Sequence, residues 1–332
     1  MSWRHVFRRD LTSVYRSRTG TAVAALLGLS TVVVVGLGAV ADSLAVVAVG
    51  AVLTVAVVLA LVFLGSPRSI AGAIAVFAGI AVVLALVLSD TEPSGMGVDG
   101  AVALVAGILS LVVPLVALVA SYGAVVGERE TGSVRFLLGL PNSRDQAYAG
   151  KLCARTVAIA APLAVALALT GVVVTLTADP GSVRFGGLVR MLGLAAVTLP
   201  YVFVFVGIGL TASVYADSSN RAVAAVIAVF GFLRVGWPAL QEVVWALTRP
   251  PDLSTSPTRP AWFFWSDRLN PINAYLKTTS LLVEGEIPII VRPSEPVVPV
   301  ATSLGFAAVV LLAWAALTPV GGLLYFRTRD LT

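Results

Sequence analysis

The sequence predicts an all-α polytopic membrane protein. About eight transmembrane helices are expected (six or seven are possible counts), with an N-terminal interfacial helix and a short helix in the largest cytoplasmic loop. Three observations predict this. Of 332 residues, 58% are hydrophobic and only 12% are charged, about half the charged share of a soluble domain. The mean hydropathy is +0.97. The apolar residues also gather in runs of roughly 20 or more, the length a helix needs to cross a bilayer. Such a chain cannot cover a water-facing surface with polar groups, which excludes soluble enzymes, nucleic-acid readers and disordered scaffolds.

Eight runs qualify as spans: 20–41, 43–64, 69–89, 100–126, 154–177, 187–215, 221–247 and 300–326. Between Gly36, Gly38 and Asp42 a tight turn leaves the count open to six or seven. The resulting organisation is an interfacial helix in 1–19, spans one to four in 20–126, a cytoplasmic loop at 127–153 and spans five to seven in 154–247. An outer loop at 248–299 carries short re-entrant or surface helices, the last span occupies 300–326, and 327–332 is a cytoplasmic tail. The basic N-terminal stretch runs into Leu26 to Val40 without a small-residue cleavage site, so no cleavable signal peptide is expected.

Charge orients the bundle. With the N-terminus inside, the inner segments hold fourteen Lys/Arg against six acids, and the outer segments seven against eleven. This fits the positive-inside rule, so a multi-pass protein of the cell membrane with both termini cytoplasmic is expected.

Residues 3–15 alternate with helical period. Trp3, Val6, Phe7, Leu11 and Val14 share one face, and Arg4, His5, Arg8, Arg9 and Thr12 take the other. This is the pattern of a helix in the headgroup plane, arginines toward anionic lipid. His5 and Cys153 are the single histidine and cysteine of the chain, too few for a metal site.

The stretch 127–155, GERETGSVRFLLGLPNSRDQAYAGKLCAR, is the inner connection densest in charge. Ser133 to Leu140 reads as a short helix, with Val134, Leu137, Leu138 and Leu140 toward the membrane and Arg135 away. Thr131 or Ser133 can cap it, and Glu128 and Glu130 suit the positive end of its dipole. Pro141 stops it, and Asn142 or Ser143 caps a second helix running through Lys151 into span five. Spacing alone fits two readings equally: a stiff helix–turn–helix that receives force from a soluble partner, or an ordinary solvated loop.

This stretch resembles the signature region of type 2 ABC transporter permeases, particularly those found beside genes for multicopper-enzyme maturation. Gly127, Glu128, Arg129, Glu130, Gly132, Ser133, Leu137, Leu138, Pro141, Ser143, Arg144, Gly150 and Lys151 stand in that pattern's register. The short YADSSNR and LNPINAYL segments match more loosely. The resemblance implies that the loop contains a cytoplasmic coupling helix docking into a cleft of a separate ABC ATPase subunit. It makes Glu128, Arg129, Glu130, Arg135 and Arg144 the candidate docking residues. It also implies a homodimer or paired permease, and outer helices that gate the exit. The wider family usually has six spans, so the hairpin at 43–89 departs from it.

No GxxxxGK[ST] phosphate loop is present, so ATP and Mg belong to the partner and this chain is expected to bind no cofactor. Spans one to six carry essentially no acid beyond Asp42, which does not favour ion coupling. The resulting reading is a permease subunit of an exporter, working by alternating access, with membrane lipid and an ATPase as expected partners and no nucleic acid. The alternatives are a non-transporting assembly factor or anchor and, less favoured, a membrane-embedded enzyme. The last needs convergent catalytic groups, and the spans hold no paired Asp, HExxH or Ser/His pair.

Pro114, Pro162 and Pro200 fall inside spans four, five and six. They are candidate hinges, although membrane helices often accommodate proline as a simple kink. Arg234 lies near the middle of span seven. The preferred expectation ends the helix there, with Trp237-Pro238 opening a re-entrant segment; the other pairs Arg234 with Glu242. The WFFW run at 262–265 suits the outer interface. Leu276 to Val283, too short to span, is expected as a re-entrant or surface helix.

Overall fold

The structure, a computed structural model, describes residues 3–16, 98–132, 143–177, 186–248, 259–283 and 303–328. Spans 20–41, 43–64 and 69–89, Arg135, and the expected helix at Ser133 to Leu140 lie outside these. The described residues are helical throughout their regular structure, with no strand. In chain order they form α1 (Trp3–Arg16), α2 (Val98–Ser121), α3 (Val126–Glu130), α4 (Arg144–Thr177), α5 (Gly186–Tyr215) and α6 (Ser219–Gly231). A π-helical turn (Phe232–Gly236) then joins α6 to α7 (Trp237–Thr248). α8 (Ala261–Leu269), α9 (Pro271–Thr279) with a 3-10 turn (Ser280–Leu282), and α10 (Leu304–Thr328) complete the set.

Five helical runs are long and apolar enough to cross a membrane: Val98–Glu130, Arg144–Val172, Gly186–Tyr215, Ser219–Thr248 and Leu304–Thr328. This is the architecture of a polytopic membrane protein. Successive crossings run in opposite directions, so one end of the bundle gathers the GERE turn, the α5–α6 turn, the start of α4 and the end of α10. The opposite end holds the start of α2 and the start of α5, where Arg190 pairs with Asp99. A helix of 34 residues is about 51 Å long at 1.5 Å per residue, so α4 overshoots a hydrocarbon core of about 30 Å. α1 packs along α4 and meets it near the GERE end, where Asp10 pairs with Arg155.

α5 is the central helix, packed by α2, α4 and α10. Gly207 and Gly209 let it approach two neighbours at once, because residues two apart on a helix face nearly opposite sides. A Cβ at Gly209 would come within 2.8 Å of the Ser121 Cβ on α2, while one at Gly207 would strike the Thr318 side chain on α10. Without a hydrophobic driving force between helices in lipid, such close approach supplies the dispersion contact that holds the bundle.

The expectation that the helix ends at Arg234 is wrong. The chain stays helical through a π-turn, in which the Trp237 amide donates back to Phe232 O. Re-spacing the ladder accommodates Pro238, which has no N–H to give. The alternative pairing is not formed either, since Glu242 takes Arg259 at 2.8 Å and Arg259 lies over the rings of Phe263 and Trp245. Arg234 is half-buried within the turn.

The π-turn leaves Leu233 O to a side chain. Asn270 Nδ2 donates to it at 2.7 Å, and Asn270 Oδ1 accepts from the Ile272 amide at 2.9 Å, capping α9. Pro271 at the first helical position completes that start. The short helix is therefore Pro271–Thr279 rather than Leu276 to Val283. It is buried along most of its length and packs within the bundle, whereas α8 buries only Phe264 and Arg268. Trp314 Nε1 donates to Leu269 O at 2.9 Å, and the Tyr275 and Thr198 hydroxyls are 3.0 Å apart. Tyr275 stacks on Tyr201, with ring centroids 4.1 Å apart. In the WFFW run Phe264 is buried, while Trp262 and Trp265 are exposed.

Candidate functional site at the GERE end

α3 begins where α2 unwinds. Its first amides are satisfied from another helix: Val125 and Val126 N–H donate to the buried Ser213 Oγ of α5 at 2.9 and 3.1 Å. Thr131 closes the helix, its hydroxyl donating back to Gly127 O at 3.0 Å. It stands at the C-terminal end of α3; the helix it is expected to cap lies outside the described residues. Gly132 follows at φ 69°, a left-handed residue of the kind that commonly ends helices. Glu128 and Glu130 lie within α3, and the helix ahead of which they are expected lies outside the described residues.

The three charged side chains of the motif reach different helices. Arg129 Nη1 donates to Ala216 O at 3.1 Å, just past the end of α5. Glu130 accepts from the Ser219 amide at 2.7 Å and from its hydroxyl, at the start of α6. Cation at a helix C-terminus and anion at an N-terminus are the favourable dipole arrangements. Glu128 points the other way, 2.8 Å from Lys151 Nζ on α4 and 2.9 Å from Arg9 Nη2 on α1.

Lys151 continues the network inward. Its side chain is 1% exposed and lies 3.7 Å from Asp10. Arg155 Nε donates to Asp10 at 2.9 Å, and its Nη1 donates to Ala120 O of α2. Burial alone would raise the pKa of Asp10; Lys151 and Arg155, with a smaller contribution from Arg9, outweigh it and hold the carboxyl below its ordinary value. Val6 and Asp10, one turn apart, are both buried. α1 thus presents part of its surface to protein, while Arg4, His5 and Arg8 stay exposed.

Among the other candidates, Arg144 donates to Phe326 O at 3.3 Å and to Arg327 O at 2.9 Å, at the end of α10. Its neighbour Asp145 accepts both arms of Arg327 at 2.7 Å. Ser143 Oγ accepts from the Gln146 amide at 3.2 Å and starts α4. Pro114, Pro162 and Pro200 each sit within an uninterrupted helix. α10 carries a fourth internal proline, Pro319. Among the described residues, no group of three or more His, Cys, Asp or Glu is placed to hold a metal ion.

Sequence reasoning missed Asp10, Arg155, Ser213 and Ser219 as parts of this site. Asp10 had a local signal, since helical spacing puts it one turn from Val6. Ser213 had none, because its partner amides are 88 and 87 residues away.

A bundle of long apolar helices with a braced, highly charged junction at one end is the architecture of a polytopic membrane protein. Residues 68–331 match the family described as ABC-2 family transporter protein, and the chain belongs to that family. It is thus a transmembrane permease component of an ABC transporter, a transport subunit of a family that generally works with a cytoplasmic ABC ATPase. No curated protein matches the sequence at a significant level.

Proposed function

We propose that the chain is the membrane-spanning half of an ATP-driven exporter, moved by a separate ATPase subunit that docks on the loop 127–153. In this reading the GERE end is cytoplasmic and both termini lie there, in the cell membrane. Two permease chains pair, and ATP and Mg are held by the partner. Closure of the ATPase pair on ATP pushes the loop and tilts the helices so that access alternates between the two faces. Membrane lipid meets the exposed arginines of α1. The subgroup beside multicopper-enzyme maturation genes is proposed from the GERE resemblance alone.

One observation carries the reading: α3 is hydrogen-bonded or ion-paired to α1, α4, α5 and the start of α6. A push delivered next to it reaches several membrane helices together. The test reconstitutes the full chain in lipid with the ATPase encoded beside it and measures ATP hydrolysis. Replacing 133–140 by a glycine-serine linker is expected to abolish both binding and stimulated hydrolysis. Hydrolysis that is indifferent to the permease, or binding that survives the replacement, would refute the proposal.

A further inference from the structure

Three consecutive charged side chains of the GERE turn are each committed to a different part of the chain itself. Glu128 lies between Lys151 and Arg9, with its side chain 20% exposed. Arg129 holds the last carbonyl region of α5, and Glu130 holds the first amide of α6. We infer that Glu128, Arg129 and Glu130 are positioning residues that pass a displacement of the docking loop into four helices, and are not the groups that grip the partner. This rests on the docking reading above and deepens it, because it separates the surface that is pushed from the linkage that transmits the push.

The physical case is one of stiffness. A loop tied by a single contact bends when pushed. α3 is tied at its start by Ser213 Oγ, along its length by Arg129 to Ala216 O, and at its end by Glu130 to Ser219. These contacts fall on residues 213, 216 and 219, which bracket the α5–α6 turn from both sides. On the opposite flank Glu128 joins α1 and α4 through charged groups, the strong class of hydrogen-bonding partners. A shift of α3 therefore moves helix ends as rigid rods. The left-handed Gly132 ends α3.

Glu130 gives the decisive test, since it is exposed and its charge is the one that could reach a partner. A carboxylate that grips a cationic partner fails equally as Ala or Gln. A carboxylate that accepts from the Ser219 amide is replaced by the oxygen of Gln and lost in Ala. Ser219→Pro supplies an independent variant. It removes both the amide and the hydroxyl that Glu130 accepts from, at the first helical position, where proline is well tolerated. The preceding Ser218 is already extended at φ −146°, ψ 156°, as a residue before proline prefers.

The measurement uses the full chain in nanodiscs with its co-encoded ATPase, reading Kd and permease-stimulated ATP hydrolysis. Glu130→Ala is expected to leave Kd within about twofold and to cut stimulated hydrolysis about tenfold, the scale of a lost helix cap. Glu130→Gln is expected to restore at least half of the activity, and Ser219→Pro to reproduce the Ala loss. An equal weakening of Kd by Ala and Gln, with Ser219→Pro silent, would overturn the inference and leave docking intact. Three variants that all behave as wild type would also overturn it. A wild-type chain that binds no ATPase would remove the docking reading itself, and this inference with it.

Discussion

Asp10 and Arg155 are joined by a 2.9 Å ion pair across 145 residues of sequence. The pair fastens the N-terminal helix to α4 where α4 overshoots the span, and Lys151 closes on the same carboxylate. A helix expected to rest on lipid is thus held by buried charge.

Asp10→Asn should loosen α1. Removing one partner of a buried ion pair costs on the order of 3 kcal/mol, because the remaining charges stay buried without it. Glu128 and Ala120 O still engage Lys151 and Arg155, so a loss of about 2 kcal/mol is expected here. Amide hydrogen exchange in α1 of the full chain should speed up by roughly 30-fold, with little change in α5. Unchanged exchange in α1 would show that lipid contact alone holds the helix.

The pH dependence of this attachment follows from the same pair. The folded-state pKa of Asp10 is depressed, so its contribution is fully present above the ordinary carboxylate value near 4. It is lost as pH falls below that value and through the lower folded-state value. α1 exchange, corrected for intrinsic rates, should be flat between pH 5 and 8 and rise in more acidic buffer, with Asp10→Asn abolishing the rise. A transition near neutrality would assign the control to another group.

Gly322 is a contact point between α10, α4 and α5. A Cβ there would overlap the hydroxyls of Tyr148 and Thr211. Gly322→Ala should lower stability by about 1–3 kcal/mol, the range for overpacking a close-fitted site. Thermal unfolding in detergent would show a drop of several degrees, partly reversed by adding Thr211→Ala. Stability equal to wild type would mean that α10 can shift away at no cost.

Asn270 performs two tasks with two atoms. Asn270→Ala removes the α9 cap, about 1 kcal/mol, and orphans the buried Leu233 carbonyl, a further 1–3 kcal/mol or so. Asn270→Ser keeps a side-chain oxygen that can cap α9 but lacks the reach to Leu233 O, so its unfolding midpoint should fall between those of Ala and wild type. Equal effects of Ser and Ala would assign all of the stabilisation to the Leu233 contact.

Most of the fold was legible because lipid imposes a strong rule. A chain in hydrocarbon must satisfy its own backbone, so spans appear as long apolar runs, and the five described ones do. The short helix at Pro271–Thr279 was only half legible. Its burial and start depend on a carbonyl freed by a π-turn 37 residues earlier, and no local pattern records that. The GERE motif was legible as a motif, and its order and spacing pointed to the family.

What the sequence determined by itself is the class: apolar helices that must cross a membrane, with dense charge in the segments between them. What only tertiary structure decided is the direction in which that charge acts. Glu128, Arg129 and Glu130 bear the same charges in any loop, but Lys151, Ala216 and Ser219 become their partners only when α4, α5 and α6 are brought to one end of the bundle. Helical periodicity is a local property of the chain, whereas a buried ion pair is created by the approach of distant helices, and the energy of leaving either charge alone then fixes them together.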